Sequence, residues 1–174
     1  MRLLSRRTLA VAAVAMLAAG CGKKGQAAQN AAAPADDAKT ADAAKAFLEK
    51  NAKEPGVMTT ASGLQYKITK SGPATGEKPG LHDEVRVNYE GTLLNGQVFD
   101  STYRSGMPAV FGVDQVVPGW TEALQLMRPG DEWVVYLPPA LGYGPGGRGP
   151  IPPNAVLVFR MELLGVLKSG PANA

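Results

Sequence analysis

An aromatic ring and a carboxylate are adjacent in the chain at Phe99 and Asp100. Tyr89 precedes this pair, and Val-Val-Pro at 116–118 leads towards Trp120 after it. Aromatic and aliphatic side chains with one carboxylate among them are typical of an apolar cleft that holds a small ligand with a few placed polar atoms. The stretch from 85 to 120 is therefore the predicted site of binding or reaction.

The rest of the chain disfavours several kinds of chemistry. His82 is the only histidine and Cys21 the only cysteine, so the sequence offers no convincing Ser/His/Asp set and no zinc-ligand cluster. The glycine-rich stretch 142–147 lacks the Lys-Ser/Thr pair that follows in a phosphate-binding loop. We expect no cofactor and no metal. What remains is binding, or a reaction that needs only an apolar, preorganised pocket.

Alternating apolar and polar residues predict the strands that carry this site. Val85, Val87 and Tyr89 alternate with polar residues, which is the period of a half-buried strand. Asn95-Gly96, between two apolar pairs, indicates a hairpin with a type I′ turn. Further strands are predicted near 64–69, 110–113, 133–137 and 157–163.

One amphipathic helix is predicted to cover the sheet. Its apolar residues recur at i, i+3, i+4 and i+7: Trp120, Ala123, Leu124 and Met127. A Pro-Gly pair at 129–130 ends it. A short N-terminal helix is predicted from 41 to 51. Strands with a single amphipathic helix predict an α+β domain, in which an antiparallel sheet of about five strands folds over one short helix.

Residues 1–20 have the character of a signal peptide and are excluded from the fold. Three arginines precede an apolar run at 8–19 that is too short to span a bilayer as a helix. Residues 17–21, Leu-Ala-Ala-Gly-Cys, resemble the bacterial lipobox, so Cys21 is the predicted lipidation site. The choice between general and twin-arginine export stays open.

Composition divides the rest of the chain into four parts. Residues 21–40 have no large apolar side chain and predict a flexible tether. The short helix and a linker occupy 41–58, the globular domain 59–168 and a frayed tail 169–174. Phe47 and Leu48 are the only large apolar residues of the short helix. We therefore expect a loosely packed spacer helix and a monomer, with a dimerisation element as the alternative.

The charge of the chain gives no support for nucleic-acid binding. The full sequence has 18 Lys and Arg, 15 Asp and Glu, and a net charge of +3. Three of those bases precede Cys21 and all the acids follow it, so cleavage before Cys21 leaves a net charge of zero. The basic character belongs to the signal peptide.

Five motifs, in this order, resemble the FKBP-type peptidyl-prolyl cis/trans isomerases. They are Val-Asn-Tyr-Glu-Gly (87–91), Gly-Gln-Val-Phe-Asp-Ser (96–101), Val-Val-Pro-Gly-Trp (116–120), Leu-Gly-Tyr-Gly (141–144) and Ile-Pro-Pro-Asn (151–154). The resemblance extends over about 59–167. The stretch 47–66 resembles the secreted bacterial branch typified by macrophage infectivity potentiator proteins.

The resemblance assigns roles to ten residues. The catalytic residues it implies are Tyr89, Phe99, Asp100 and Tyr143. The substrate-binding residues it implies are Phe111, Val116, Val117, Trp120, Ile151 and Phe159. Trp120 would form the floor under the prolyl ring. The Tyr143 hydroxyl and the Ile151 N–H would hold substrate carbonyls, and Asp100 would accept a hydrogen bond from Tyr89.

The implied reaction is rotation about an X-Pro bond. Its barrier is about 18–20 kcal/mol, because the twisted amide loses resonance. A twisted amide is less polar than a planar one, so an apolar pocket should bind it more tightly relative to water. No proton transfer and no nucleophile are needed.

The implied partners follow from this activity and from the N-terminus. They are proline-containing exported polypeptides as substrates, macrolide inhibitors as a candidate ligand class, and a membrane bound through the lipid anchor. The expected location is the periplasmic side of the cell envelope. Two alternatives are a holdase with little turnover and a structural envelope lipoprotein. Asp100 and Tyr143 favour an enzyme, because a purely apolar binder needs neither residue.

Overall fold

The structure, a computed structural model, describes residues 37–169. The predicted signal peptide, Cys21 and most of the predicted tether lie outside the described residues, as do the last five residues of the predicted tail. Within 37–169, no helix is both long enough and apolar enough to cross a lipid bilayer.

The described part of the chain contains one antiparallel sheet of seven strands and three α-helices. The strands are β1 (Val57–Thr59), β2 (Gln65–Lys70), β3 (Glu84–Leu93), β4 (Val98–Ser101), β5 (Ala109–Gly112), β6 (Glu132–Leu137) and β7 (Leu157–Leu167). The helices are α1 (Asp37–Asn51), α2 (Thr102–Ser105) and α3 (Pro118–Leu126). The α+β class is confirmed. The sheet exceeds the expected five strands, and the strand that the sequence did not indicate is β1, whose three residues are too few to show alternation.

Strand β3 is the element around which the sheet is arranged. The strand order is β1-β2-β6-β7-β3-β4, and β5 also pairs with β3. One edge of β3 pairs with β7 along its whole length. The other edge is shared, because β5 pairs with residues 84–87 and β4 with residues 90–92. The chain between β4 and β5 therefore leaves the sheet beside Tyr89.

Helix α3 packs its apolar face onto the sheet, as the sequence predicts. Its inward residues, and the residue that follows the helix, are all buried: Trp120, Ala123, Leu124 and Met127. Gly119 lets the helix come close, because a Cβ there would stand 2.5 Å from Leu137 Cγ and 3.1 Å from the Leu141 carbonyl oxygen. Pro118 occupies the first turn, where a missing N–H costs nothing.

The turn between β3 and β4 is a hairpin, but the predicted type I′ geometry is wrong. Gly96 has a positive φ of 83°, whereas Asn95 does not. The Gly96 N–H donates to the Leu93 carbonyl at 2.9 Å, and the Leu93 N–H donates to the Gln97 carbonyl at 2.9 Å. This is a three-residue loop with one left-handed glycine. Asn95 contributes its side chain instead, since its Oδ1 accepts from the Gln97 N–H at 2.9 Å.

Helix α1 begins at Asp37, four residues before the predicted start, and ends at Asn51 as predicted. Side chains join it to the sheet. Asn51 Nδ2 donates to Gln65 Oε1 at 2.8 Å, and Gln65 Nε2 donates to the Leu48 carbonyl at 2.9 Å. The Phe47 ring lies 5.9 Å from the Tyr136 ring. The end of α1 is thus fixed to the domain more firmly than a loosely packed spacer helix would be.

Asp83 ties the loop before β3 to the end of β7. One carboxylate oxygen accepts from the Gly80 N–H at 2.6 Å and lies 3.1 Å from Lys168 Nζ. The other accepts from the Ser169 N–H at 3.1 Å and from its hydroxyl at 3.3 Å. Ser169, placed by sequence in a frayed tail, is therefore held. The Gly80 hydrogen bond, assisted by Lys168 and Ser169, lowers the pKa of Asp83 from 3.8 to about 2.

Substitution of Asp83 by Asn should make the melting temperature of the protein less dependent on pH under acidic conditions. A carboxyl whose pKa falls from 3.8 to about 2 on folding stabilises the fold above pH 3.8, and this contribution is lost as pH falls through about 2. The melting temperature of Asp83→Asn should be below that of the wild type at neutral pH, with the gap closing in acid. Thermal melts across this pH range measure it.

Glu77→Gln is the matched control, because Glu77 also faces Lys168 but its side chain is 80% exposed, against 8% for Asp83. It should shift the melting temperature much less at every pH. If the difference in melting temperature between wild type and Asp83→Asn stayed constant down to the lowest pH, the role given to Asp83 would be contradicted.

Candidate active site

A cavity of about 420 Å³ opens between α3 and the concave face of the sheet. Nine of the ten residues predicted for the site line it: Tyr89, Phe99, Asp100, Phe111, Val116, Val117, Trp120, Tyr143 and Phe159. Two further residues, Gln115 and Arg148, line it without having been predicted. The exception among the predicted residues is Ile151.

Trp120 lies at the centre of an aromatic cluster. Its ring meets three others edge to face, at centroid distances of 4.9 Å for Tyr89, 5.8 Å for Phe111 and 5.2 Å for Phe159. Edge-to-face packing is a favoured arrangement of aromatic rings. Each neighbour comes from a different strand, so helix and sheet together hold the indole in one orientation.

A bulge in β4 brings Phe99 and Asp100 to the same cavity. Consecutive residues of a regular strand point to opposite faces. Here Gly91 pairs with Asp100 and Thr92 pairs with Val98, so Phe99 is an extra residue on β4. A bulge of this kind redirects side chains. Both the ring and the neighbouring carboxylate consequently line the cavity.

Gly91 makes room for two of the rings. It follows Tyr89 on the buried face of β3 and pairs with Phe159 of β7. A Cβ at this position would stand 2.6 Å from Phe99 and 2.7 Å from Phe159. Those two rings meet edge to face over the glycine, with centroids 5.5 Å apart. A side chain at 91 would force them away.

The hydroxyl of Tyr89 donates a hydrogen bond to Asp100 Oδ2 at 2.6 Å, as expected. Burial, followed by this contact with Asp100, raises the pKa of the Tyr89 hydroxyl well above its ordinary value. Thr102 holds the backbone of the same residue, since its Oγ1 accepts from the Tyr89 N–H at 2.9 Å and donates to the Tyr89 carbonyl at 3.2 Å. Tyr89 is thus fixed at both ends.

Asp100 differs from the sequence-based picture in its exposure. The sequence places this carboxylate among the apolar side chains of a cleft, whereas Asp100 is solvent-exposed at the cavity edge. An exposed carboxylate keeps part of its hydration, so its placement costs less than burial would. The negative charge of Asp100 therefore lies at the solvent-exposed edge of the cavity, beside the apolar side chains of its floor.

Ile151 is the predicted site residue that the cavity does not include. Its side chain is buried, and its N–H donates to the Arg148 carbonyl at 2.9 Å while the Arg148 N–H donates back at 2.9 Å. In this conformation the Ile151 N–H is engaged within the loop, so a substrate carbonyl would have to displace the Arg148 carbonyl to accept from it. Pro150 and Pro152 have no N–H, so Ile151 carries the only backbone donor of these three residues. That donor closes the turn with the Arg148 carbonyl.

Tyr143 reaches the cavity from the long loop between β6 and β7. That loop contains two short 3₁₀ turns, Pro139–Leu141 and Gly144–Gly146. Arg148 covers the Tyr143 ring, with its guanidinium carbon 5.5 Å from the ring centroid. Across 37–169, no group of three His, Cys, Asp or Glu side chains is arranged to hold a metal ion.

Residues 75–164 match the family model described as FKBP-type peptidyl-prolyl cis-trans isomerase, and residues 6–68 match the domain amino terminal to it. This chain belongs to the FKBP family. The resemblance inferred from the five motifs is thereby confirmed, and so is the likeness to the macrophage infectivity potentiator branch.

Relatives and solved structures agree with this assignment. The outer membrane protein MIP of Legionella longbeachae is 54% identical over 125 residues, which are 71% of this chain and 53% of that protein. The crystal structure of FkpA from Escherichia coli has a TM-score of 0.74 at 44% identity, covering 78% of this chain and 62% of that one. The crystal structure of a peptidyl-prolyl cis-trans isomerase from Pseudomonas syringae has a TM-score of 0.72 at 34% identity, and the match covers 78% of this chain and 99% of that one. The chain spans about half the length of the curated relatives it matches.

Sequence reasoning missed four residues that shape this FKBP cavity: Gly91, Thr102, Gln115 and Arg148. Gly91 carries a usable signal, because a glycine inside a strand often marks the close approach of another group. The others carry none, because threonine, glutamine and arginine are residue types that are mostly exposed, and nothing in the sequence marks these three as different.

Gly91→Ala should disturb the cavity and destabilise the domain. The new methyl group must displace Phe99 or Phe159, and overpacking of this kind costs about 1–3 kcal/mol. Urea unfolding gives the stability, and tryptophan fluorescence reports the environments of Trp120 and Trp133 together. Gly165→Ala in β7 is the control, because a Cβ there meets nothing within 4 Å. If Gly91→Ala and Gly165→Ala lowered the free energy of unfolding equally, the role assigned to Gly91 would be contradicted.

Proposed function

We propose that this chain catalyses cis/trans isomerisation of X-Pro bonds. The observation that carries the proposal is the hydrogen-bonded Tyr89–Asp100 pair at the edge of an aromatic cavity floored by Trp120. A carboxylate held at the edge of an open apolar cavity can contact a bound ligand, whereas packing of a hydrophobic core does not require one. Membership of the FKBP family supports the same activity.

The catalytic principle is preferential binding of the twisted amide. The prolyl ring lies on Trp120, with Phe111, Val116 and Phe159 around it. Rotation removes amide resonance and makes the bond less polar, so the apolar walls bind the transition state better than water does. Because the rings are already packed against one another, little reorganisation is needed during rotation.

Asp100 and Tyr143 supply the polar part of the mechanism. Asp100, held by the Tyr89 hydroxyl, places its carboxylate beside the carbonyl carbon as the amide twists. The Tyr143 hydroxyl donates to a substrate carbonyl and fixes the peptide in the cavity. The Ile151 N–H contributes a second donor only if substrate binding opens its hydrogen bond to Arg148.

Asp100→Leu should lower kcat/KM for a proline peptide about tenfold, which corresponds to ~1.4 kcal/mol of transition-state stabilisation. The substitution keeps an apolar wall and removes the carboxylate. Protease-free measurement of peptide isomerisation gives the rate, and circular dichroism checks that the domain is folded. Asp114→Leu is the control, since Asp114 lies in sequence between Phe111 and Gln115, which line the cavity, but does not line it itself. Undiminished activity of Asp100→Leu would leave Asp100 a purely structural role.

The same assay separates catalysis from a holdase role. A holdase would bind proline peptides in the apolar cavity without changing the rate at which cis and trans forms exchange. Peptide binding by the wild-type chain with an unchanged exchange rate would therefore replace the isomerase proposal by the holdase.

We further propose that residues 1–20 are removed on export and that Cys21 is lipidated. The support is the apolar run that ends in Leu-Ala-Ala-Gly-Cys. The protein would then act as a monomer on exported polypeptides at the periplasmic side of a membrane. The relative from Legionella longbeachae is itself named an outer membrane protein.

Cys21→Ser should move the protein from the membrane fraction to the soluble fraction, because it removes the acylated sulfur. One acyl chain gives only marginal anchoring, so several chains are implied. Fractionation of cells that express each form makes the comparison. Membrane retention of Cys21→Ser would exclude lipidation as the anchor.

A further inference from the structure

Two charged side chains line the cavity, Asp100 and Arg148. The Asp100 carboxylate already accepts the Tyr89 hydroxyl at 2.6 Å. Arg148 forms no ion pair with any acidic side chain of residues 37–169. Arg148 is an exposed residue, and its guanidinium lies over the Tyr143 ring. The carboxylate of the cavity is therefore hydrogen-bonded already, whereas its guanidinium has no acidic partner among residues 37–169 and can pair with an acidic ligand.

The chain holds Arg148 in place at the cavity mouth. Its N–H and carbonyl both form 2.9 Å hydrogen bonds with Ile151. Gly147 and Gly149 flank it with φ values of 61° and 55°, which only glycine adopts readily and which make the turn tight. Stacking on Tyr143 restrains the side chain as well, by a cation–π contact. A guanidinium restrained in this way is suited to a carboxylate, which it can bind with two parallel hydrogen bonds.

We propose that Arg148 makes this site select substrates with an acidic residue directly before or after the proline. The inference rests on the proposed isomerase function. Arg148 packs on Tyr143, the residue proposed to hold a substrate carbonyl, so the side chain nearest the proline comes within its reach. Asp100 repels an acidic side chain from β4, which favours its placement on the Arg148 side.

A set of peptides that differ in one position tests this inference. Glu, Gln or Lys is placed directly before or directly after the proline, and kcat/KM is measured for wild type, Arg148→Gln and Arg148→Glu. Wild type should prefer Glu over Gln about two- to fivefold in at least one position, the range typical of an exposed ion pair. Arg148→Gln should lose the preference, and Arg148→Glu should prefer Lys. Salt should weaken each preference, because the pair is exposed to solvent.

Arg86→Gln is the matched control, because Arg86 is an exposed arginine of β3 that does not line the cavity. It should keep the wild-type preference. Equal rates for Glu and Gln peptides in the wild type at both positions would overturn the inference, as would a preference that survives in Arg148→Gln.

Failure of the proposed function gives a different result. In that case wild type would not accelerate exchange of the Gln peptides either. The affinities of the same peptides, from titration of tryptophan fluorescence, then decide the inference by the same comparisons. Tighter binding of Glu than Gln peptides that disappears in Arg148→Gln supports charge selection, and equal affinities overturn it.

Discussion

The edge-to-face packing of three aromatic rings around Trp120 is the interaction on which the cavity depends. Tyr89, Phe111 and Phe159 come from three different strands, and Trp120 comes from the helix that crosses them. The floor of the site is therefore also the place where helix and sheet meet. Rings packed against one another in this way hold the cavity in a fixed shape, which suits a reaction whose catalyst must be preorganised.

The polar edge of the cavity depends on irregular backbone. The bulge at Phe99 lets two consecutive residues face the same space, and it sets Asp100 within reach of the Tyr89 hydroxyl. Thr102 fixes the Tyr89 backbone from the next turn of chain. Strand β4 and the first residue of α2 thus supply a wall, a charge and an anchor within a few residues. The same short stretch would lose all three functions if its register slipped by one position.

Side-chain periodicity predicts the regular parts of this molecule well. The buried face of β3 and the apolar face of α3 follow directly from alternation at 85–89 and helical spacing at 120–127. Periodicity carries no information about the bulge at Phe99, the three-residue turn at Gly96 or the Ile151 hydrogen bond to Arg148. Each depends on which backbone groups form hydrogen bonds with one another, within a turn or between two strands. Ser169 was missed because a contact with the distant Asp83 holds it. Arg148 was missed because its place depends on its turn with Ile151 and its contact with the Tyr143 ring, and neither leaves a periodic signal.

The central claim is that an apolar, preorganised cavity lowers the barrier to X-Pro rotation without proton transfer. Comparison of kcat/KM in H2O and D2O at matched acidity tests this claim directly, with exchange between the cis and trans forms of a proline peptide followed by NMR. The account predicts equal values, because no bond to hydrogen forms or breaks as the amide twists. A value several-fold lower in D2O would show that a proton moves in the rate-limiting step and would contradict the account.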